Sequence, residues 1–449
     1  MMTDEQRQHA VAAIQQALPA LEWTLQPAKI KRLSRDFHWF SPLLTEQLAG
    51  KQADAVVRPR DEEELRQLVP LEGGLLVDMT GLNQIVALGN GTVRAQAGIR
   101  LADIETAARP TGWELRCMPS TYRLASLGGL YGGGFGGIGS INYGPLAAPG
   151  NVLSVKVMTV EPVPRVLTVP APEALLLHHA YGTNGIILEV ELALAPAHQW
   201  IERLDVFDDF ADALNYANAC VRSPGLVKRQ VALLATPIAD YFSHLNDRYH
   251  AGQHAVISLI AEESEGLCAS LLPRHRGSNA IRQASDEART RNGSLMEYCW
   301  NHTTLHALKV DNTLTYLQTA FDPLRYPQQI LQMEQHFAGE VMSHIEFLRD
   351  IEGNLTASGL QLVRYTTPER LNAIMQIFRD NDVKINNPHV LQVEDGKQGV
   401  IRPDVVAVKQ SLDPAGLLNP GKLRGWALRD QLELDSNPLT RATRESPTT

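Results

Sequence analysis

Pro119-Ser120-Thr121-Tyr122-Arg123-Leu124-Ala125-Ser126-Leu127-Gly128-Gly129 leads, two residues later, into Gly132-Gly133-Gly134-Phe135-Gly136-Gly137-Ile138-Gly139-Ser140. Glycine reaches positive φ and lets backbone N–H groups approach a ligand with no Cβ in the way. Successive amides of that kind form concave nests for anions, and a diphosphate is a natural guest. Ser120, Thr121 and Ser126 add hydroxyl donors to such a nest. Composition alone also allows a glycine-rich loop that binds nothing. Gly132-x-Gly134-x-x-Gly137 matches the dinucleotide fingerprint of βαβ folds, but no apolar strand leads into it and no clear helix follows, so that match reflects glycine density.

The surroundings limit the function classes. At 449 residues the chain is too long for one compact core, and two domains are expected. A formal charge of -9 with no Lys/Arg cluster argues against nucleic acid and anionic membranes as partners. The uncharged stretch Leu124–Val155 is long enough to span a bilayer, yet it holds ten of the 33 glycines and two prolines, which no membrane helix would tolerate. The polar N-terminal helix lacks the pattern of a secretion signal, so a cytoplasmic protein is expected. Cys117, Cys220, Cys268 and Cys299 lie far apart in sequence, without a CxxC pair, and read as small buried side chains in a reducing compartment.

Up to about residue 195 the pattern is mixed α+β with short strands. Asp61–Leu68 reads as a helix with an acidic first turn. Gln84–Leu88 and Thr92–Ala97 flank Gly89-Asn90-Gly91 as a hairpin. Asn151–Val160 and Ile186–Leu194 read as strands. Beyond about 200, longer helices at Asp208–Val221 and Thr367–Asp380 alternate with strand-like runs at Gln230–Leu234 and Val256–Ile260. Residues 429–449 are polar and expected to be disordered.

Two further signals accompany the glycine run. Tyr181-Gly182-Thr183-Asn184-Gly185-Ile186-Ile187 precedes a strand, and Asp413-Pro414-Ala415-Gly416-Leu417-Leu418-Asn419-Pro420-Gly421-Lys422 closes the ordered chain. Turn chemistry explains each alone. In this order and spacing, together with Ala55-Val56-Val57-Arg58-Pro59 and Gly81-Leu82-Asn83, they resemble the FAD-binding fold of the vanillyl-alcohol-oxidase and p-cresol-methylhydroxylase (PCMH-type) superfamily of FAD-linked oxidases. The branch most similar is that of the glycolate oxidase subunit and D-lactate dehydrogenases.

The resemblance implies an α+β protein: a PCMH-type FAD-binding domain made of 1–198 plus 382–428, with its core at about 53–196, and an α+β substrate cap at 199–381. It implies FAD held by Pro119, Ser120, Thr121, Ser126, Gly128, Gly129, Gly132, Gly133, Gly134, Gly136, Gly137, Gly139, Gly185, Ile186 and Asn419. Some relatives attach flavin to a His or Cys in these loops. None is available inside the run, so noncovalent FAD is expected. The implied activity is oxidation of a small 2-hydroxy acid or alcohol by hydride transfer to flavin, with oxygen or another acceptor taking the electrons. A homodimer is left open.

One family element is absent. A strand and an Arg-Gly-Gly-Gly-Thr type loop normally follow the helix matching Asp61–Leu68, but here Leu68 runs straight into Val69. Either the deletion is real, which removes half of the phosphate nest, or residues are omitted between Leu68 and Val69. Loss of a central strand is expected to leave its partners unpaired, which favours omission. A real deletion opens a rival reading, a noncatalytic scaffold that has lost its cofactor.

Trp300-Asn301-His302-Thr303-Thr304-Leu305-His306-Ala307-Leu308-Lys309 is the richest stretch of the second domain. Asn301 is read as a helix cap. Spacings of four and three place His302, His306 and Lys309 on one face. A His there is read as the base for a substrate hydroxyl, and Lys309 as an anchor for a carboxylate. The same residues also suit a polar helix face. No third ligand accompanies the two histidines, so no metal is expected. His389 is a lesser candidate, and Arg364 and Arg402 are alternative carboxylate anchors.

Overall fold

The computed structural model describes residues 3–35, 40–69, 74–134, 136–388, 390–397 and 399–444. Among the described residues, the part expected as the first domain contains two sheets. The smaller joins β1 (Glu22–Thr24), β2 (Ala55–Arg58) and β3 (Leu75–Val77). The larger contains β4 (Ile85–Gly89), β5 (Thr92–Gln96), β6 (Trp113–Leu115), β7 (Val152–Met158), β8 (Val166–Pro170) and β9 (Ile186–Pro196). The hairpin over Gly89-Asn90-Gly91 is present, with Gly89 opposite Thr92.

The junction in question is continuous. The Val69 amide donates to the Leu65 carbonyl at 3.1 Å, so the chain passes Leu68 in helical geometry. The two strands that should flank the missing one meet directly. β2 pairs β3 in parallel from Ala55↔Leu75 to Val57↔Val77, and β1 covers the other edge of β2 in antiparallel. The backbone groups of β2 are thereby paired on both sides, as burial requires.

Among the described residues, the part expected as the second domain carries one antiparallel sheet of nine strands. These are β10 (Trp200–Phe207), β11 (Lys228–Leu234), β12 (His254–Ala261), β13 (Ser278–Ala284), β14 (Leu314–Ala320), β15 (Val341–Met342), β16 (His344–Arg349), β17 (Leu355–Arg364) and β18 (Lys384–Asn386). Their order is β13-β10-β12-β11-β16-β17-β14-β18, with β15 also against β17. Because β18 pairs with β14, residues 384–386 belong to this sheet, not to the first domain as the sequence boundary at 382 implied. Residues 443–444 form β19 (Thr443–Arg444) against β8, so the tail is ordered to at least that point.

Side chains on the large sheet alternate between two cores. Val231 and Leu233 face the helices Phe210–Arg222, Tyr326–Phe337 and Pro368–Asp380. Ala232 and Leu234 face the core shared with the first domain, which includes Val93, Leu130 and Val155. Burial on both faces explains the apolar run at 231–235 and the near-continuous one at 255–261, which Ser258 alone interrupts. Among the described residues, no helix is long and apolar enough to cross a membrane.

A buried ion cluster locks the two domains. Arg229 on β11 donates to Glu105 at 2.9 Å and to the Leu115 carbonyl at 3.0 Å, and it lies 3.4 Å from Glu114. Arg109 and the Trp200 indole also donate to Glu114. Burial alone pushes the Glu105 carboxyl up, but Arg229 and the Leu115 amide bring it below its ordinary value. Removing one member of such a pair strands the other charge. Arg229→Ala is therefore expected to lower the unfolding free energy by about 3–5 kcal/mol. Urea denaturation measures this, and a loss below about 1 kcal/mol would show that the cluster does not hold the domains.

Candidate active site

Half of the glycine run is a helix, not a nest. Leu127–Gly133 is α-helical, capped by Ser126, whose hydroxyl accepts from the Gly129 amide at 3.2 Å. Among the described residues of the run, Gly134 and Gly139 alone have positive φ. The Ser126 cap and the buried anchors Leu127, Leu130 and Tyr131 supply what the glycines lack in helix propensity. Gly128 is required because a Cβ there would stand 2.8 Å from the Ala97 Cβ.

The opposite face of this helix is bare. Gly129, Gly132 and Gly133, at helical spacings of three and four, line a cavity of about 870 Å³ between the domains. A Cβ on Gly133 would meet nothing within 4 Å, one on Gly132 only the Gly182 amide at 3.9 Å, and one on Gly129 only the capping Ser126 hydroxyl. Side chains at these positions would therefore fill the cavity itself.

The segment 179–182 runs beside this helix. The His179 and Tyr181 amides donate to the Tyr131 and Gly132 carbonyls at 3.1 and 3.0 Å. Asn419 donates to the Tyr181 carbonyl at 2.7 Å, and Lys422 lies over the Tyr181 ring at 5.8 Å. The closing turn is fixed from below. Buried Asp413 accepts from the Leu417 and Leu418 amides and pairs with Lys409, which also donates to the Thr183 carbonyl. One end of the cavity thus carries Gly182, Asn419 and Lys422.

The other end lies near Pro119 and Thr121, where the second domain contributes Asn301. Here the His302 amide donates to the Ser120 hydroxyl at 3.3 Å, tying the helix Asn301–Val310 to the start of the glycine run. The Asn301 Oδ1 is buried and has no partner. The facing wall comes from the large sheet, with Tyr316 and Gln318 on β14 and Asn386, the register partner of Gln318, on β18. Tyr316 hydrogen-bonds Gln318.

The expected cofactor residues divide into two groups. Pro119, Thr121, Gly128, Gly129, Gly132, Gly133, Gly134, Gly185 and Asn419 line the cavity. The others build its frame. Ser120 joins the domains, and Ser126 caps the helix. Gly136 packs near Trp300, the Gly137 amide donates to Ser140, and the Gly139 amide donates to the Arg229 carbonyl. Ile186 packs beside the cluster around Leu65 and Leu188, while its neighbour Ile187 reaches the cavity.

The expected catalytic residues are not cavity residues. On the helix Asn301–Val310 it is Asn301 that lines the cavity, and Trp300, not Asn301, is the capping position. His306 stacks on Tyr298 at 4.4 Å, with its Nε2 beside the Glu297 carbonyl. Lys309 is exposed. Arg364 pairs with Asp311 and Arg402 with Asp404. His389 lies outside the described residues. Sequence reasoning missed His179, Tyr316, Gln318 and Asn386, none of which has a local pattern, although Tyr181 opened one quoted motif and Lys422 ended the other. Among the described residues, no cluster of His, Cys, Asp or Glu could hold a metal.

The comparisons with known proteins agree with this geometry. The profile of the FAD binding domain family matches residues 66–162, which run from the helix at Leu68 through the glycine run to the end of β7. The chain is 33% identical over 130 residues to the decaprenylphosphoryl-beta-D-ribose oxidase of Mycolicibacterium smegmatis, covering 28% of this chain and 27% of that protein. It therefore matches only about a quarter of that relative's length. Two solved structures of alkyldihydroxyacetonephosphate synthase share the fold. One has a TM-score of 0.63 at 14% identity, over 94% of this chain and 86% of that one; the other has 0.55 at 14%, over 83% and 78%. Residues 66–162 thus match an FAD binding domain, the whole chain shares the fold of those synthase structures, and FAD is the cofactor that the matched domain indicates.

The residues present fit that cofactor. The bare helix face leaves room for a nucleotide to approach backbone, and the Asn301 oxygen awaits an N–H or O–H donor.

Burial, followed by the charge of Lys309, lowers both His302 and His306 to about 4 from an ordinary 6.5. Both imidazoles stay neutral in the folded chain down to about that pH. The unfolded chain protonates them near 6.5, so unfolding between these values takes up protons. Their contribution to stability is complete above pH 6.5 and is lost as pH falls toward 4. At pH 5 the uptake from this pair is expected to be about two protons, and His306→Phe, which keeps the stacking, should remove about one. The slope of unfolding free energy against pH measures it, and an unchanged slope would contradict the buried-neutral assignment.

Proposed function

We propose that the chain is an FAD-dependent oxidoreductase that oxidises an alcohol carbon of a small organic substrate, with both reactants in the interdomain cavity. The observation that carries this reading is the bare face of Gly129, Gly132 and Gly133 opposite the polar wall of Tyr316, Gln318 and Asn386. One wall suits a cofactor and the other a substrate. The oxidase named among the relatives, whose printed substrate carries a sugar, supports an alcohol.

Roles follow from position. The helix face would admit the cofactor, with Asn419 and the Lys422 charge at one end for its phosphates. Asn301 would accept a hydrogen bond at the other end and orient what donates it. Tyr316, buried and with its hydroxyl pushed to a higher pKa by burial, stays protonated and offers a donor. When bound, FAD supplies a two-electron acceptor for the hydrogen on the alcohol carbon, while the hydroxyl proton leaves to a base and a carbonyl forms.

A 2-hydroxy acid is less well served. Its carboxylate needs a cation, and Lys422 is the one Lys or Arg among the described lining residues. The candidate anchors Lys309, Arg364 and Arg402 stand away from the cavity. Since His302 also lies off it, the conservative variant His302→Asn should leave the rate of flavin reduction within about threefold of wild type. The noncatalytic scaffold has one supporting observation, the absent loop after Leu68.

FAD titration discriminates these readings. Purified protein should carry or take up FAD and show its visible absorption. A colourless chain that takes up no added FAD would leave the scaffold reading standing. Gly133→Leu should keep the fold, since Leu is favoured over Gly in a helix by about 0.5–1 kcal/mol. The same variant should weaken FAD binding at least about tenfold, because the side chain enters the cavity. Unchanged FAD affinity would place the cofactor elsewhere.

A further inference from the structure

Away from the cavity, a second chemical cluster is buried under the outer face of the second domain. Cys220, in the last turn of the helix Phe210–Arg222, lies with its Sγ 3.9 Å from the Sγ of Cys268, on the short helix Glu265–Leu271. Both thiols are free and buried. The Cys268 Sγ is also 3.0 Å from the Tyr216 hydroxyl, which is 2.8 Å from Asp205. Asp205 is in turn held by Arg203 at 2.8 Å.

Hydrogen positions in this chain follow from its charged end. Asp205 accepts, so Tyr216 donates its one hydrogen there and its oxygen accepts from the Cys268 thiol. The Cys268 sulfur is then left to accept from Cys220. Every donor points toward the carboxylate, and Cys268 is the thiol with a route for its proton. The hydrogen bond from Cys220 draws the Cys268 thiol below its ordinary value, while Cys220 is raised. By contrast, burial raises Cys117 to about 11 with Ser140 beside it, and burial with the charges of Glu346 and Glu202 raises Cys299.

We propose that Cys220 and Cys268 form a peroxide-sensitive dithiol site, with Cys268 the attacking sulfur and Cys220 the resolving one. The Cys268 sulfur attacks one oxygen of hydrogen peroxide. The O–O bond breaks, the other oxygen leaves as hydroxide and, taking the thiol proton, becomes water, and Cys268 becomes a sulfenic acid. Cys220 then attacks that sulfur, the S–O bond breaks, and its oxygen leaves as a second water. Two thiols are oxidised to one disulfide and one peroxide is reduced to two waters. Disulfide formation closes the 3.9 Å sulfur separation to about 2.05 Å. The bond would staple two helices that lie 48 positions apart in sequence, counted from 220 to 268.

Peptide mapping of the full-length protein after peroxide treatment tests this. The expected product is one cross-linked peptide pair joining 220 and 268, reversed by dithiothreitol, with Cys117 and Cys299 still free. In Cys220→Ala, a dimedone adduct should accumulate on Cys268; in Cys268→Ala, no adduct should form on Cys220. Oxidation should raise the melting temperature of the wild type by roughly 4 °C or more. Absence of the 220–268 cross-link in the wild type, or equal oxidation of Cys117 and Cys299, would overturn the proposal without need of either variant.

Discussion

The arrangement depends on the buried contact of Arg229 with Glu105 and Glu114. Arg229 belongs to the large sheet of the second domain, and both carboxylates belong to the first. Its backbone carbonyl also receives the Gly139 amide, so the same residue fixes the end of the glycine run. A guanidinium and two carboxylates removed from water tolerate little displacement, because any separation leaves charge unpaired. That rigidity fixes the width of the cavity. One wall is the helix Leu127–Gly133, and the other is the sheet face bearing Tyr316, Gln318 and Asn386.

The absent strand matters less to this plan than a family comparison implies. β2 and β3 close directly against each other, and β1 covers the free edge. The cost falls on cofactor binding, not on folding. With no companion loop in the sequence after Leu68, the proposed cofactor contacts in the first domain would fall to the glycine helix, the turn at Gly182–Gly185 and the closing segment around Asn419, all of which line the cavity. The second domain then contributes more, and Asn301 is where its unpartnered oxygen stands ready.

Much of the fold was legible from residues alone. Hairpin chemistry at Gly89-Asn90-Gly91 and the acidic N-terminus of Glu62–Leu68 were local signals, and the structure has both elements. The strand Trp200–Phe207 was not legible, because WIERLDVF interleaves charges with apolar residues and breaks the buried pattern. Its charges are buried because each has a partner: Glu202 accepts from Ser285, Ser294 and the Leu295 amide, and Arg203 pairs with Asp205. The glycine run was correctly marked as special and wrongly given a loop conformation, since glycine content hid a helix that Ser126 starts. The site was half legible. Its glycine wall lies in one contiguous stretch, but its polar wall is assembled from β14 and β18, which are far apart in sequence and meet only through the sheet. The histidines of 302 and 306 had the right chemistry on a helix that sends only Asn301 to the cavity.

The central claim is that the bare helix face and the second-domain sheet enclose one cofactor. A crystal structure of the full chain grown with FAD tests it most directly. The account predicts cofactor density along Gly129, Gly132 and Gly133, with a donor within hydrogen-bonding distance of the Asn301 oxygen. Density elsewhere, or an empty cavity at saturating FAD, would contradict it.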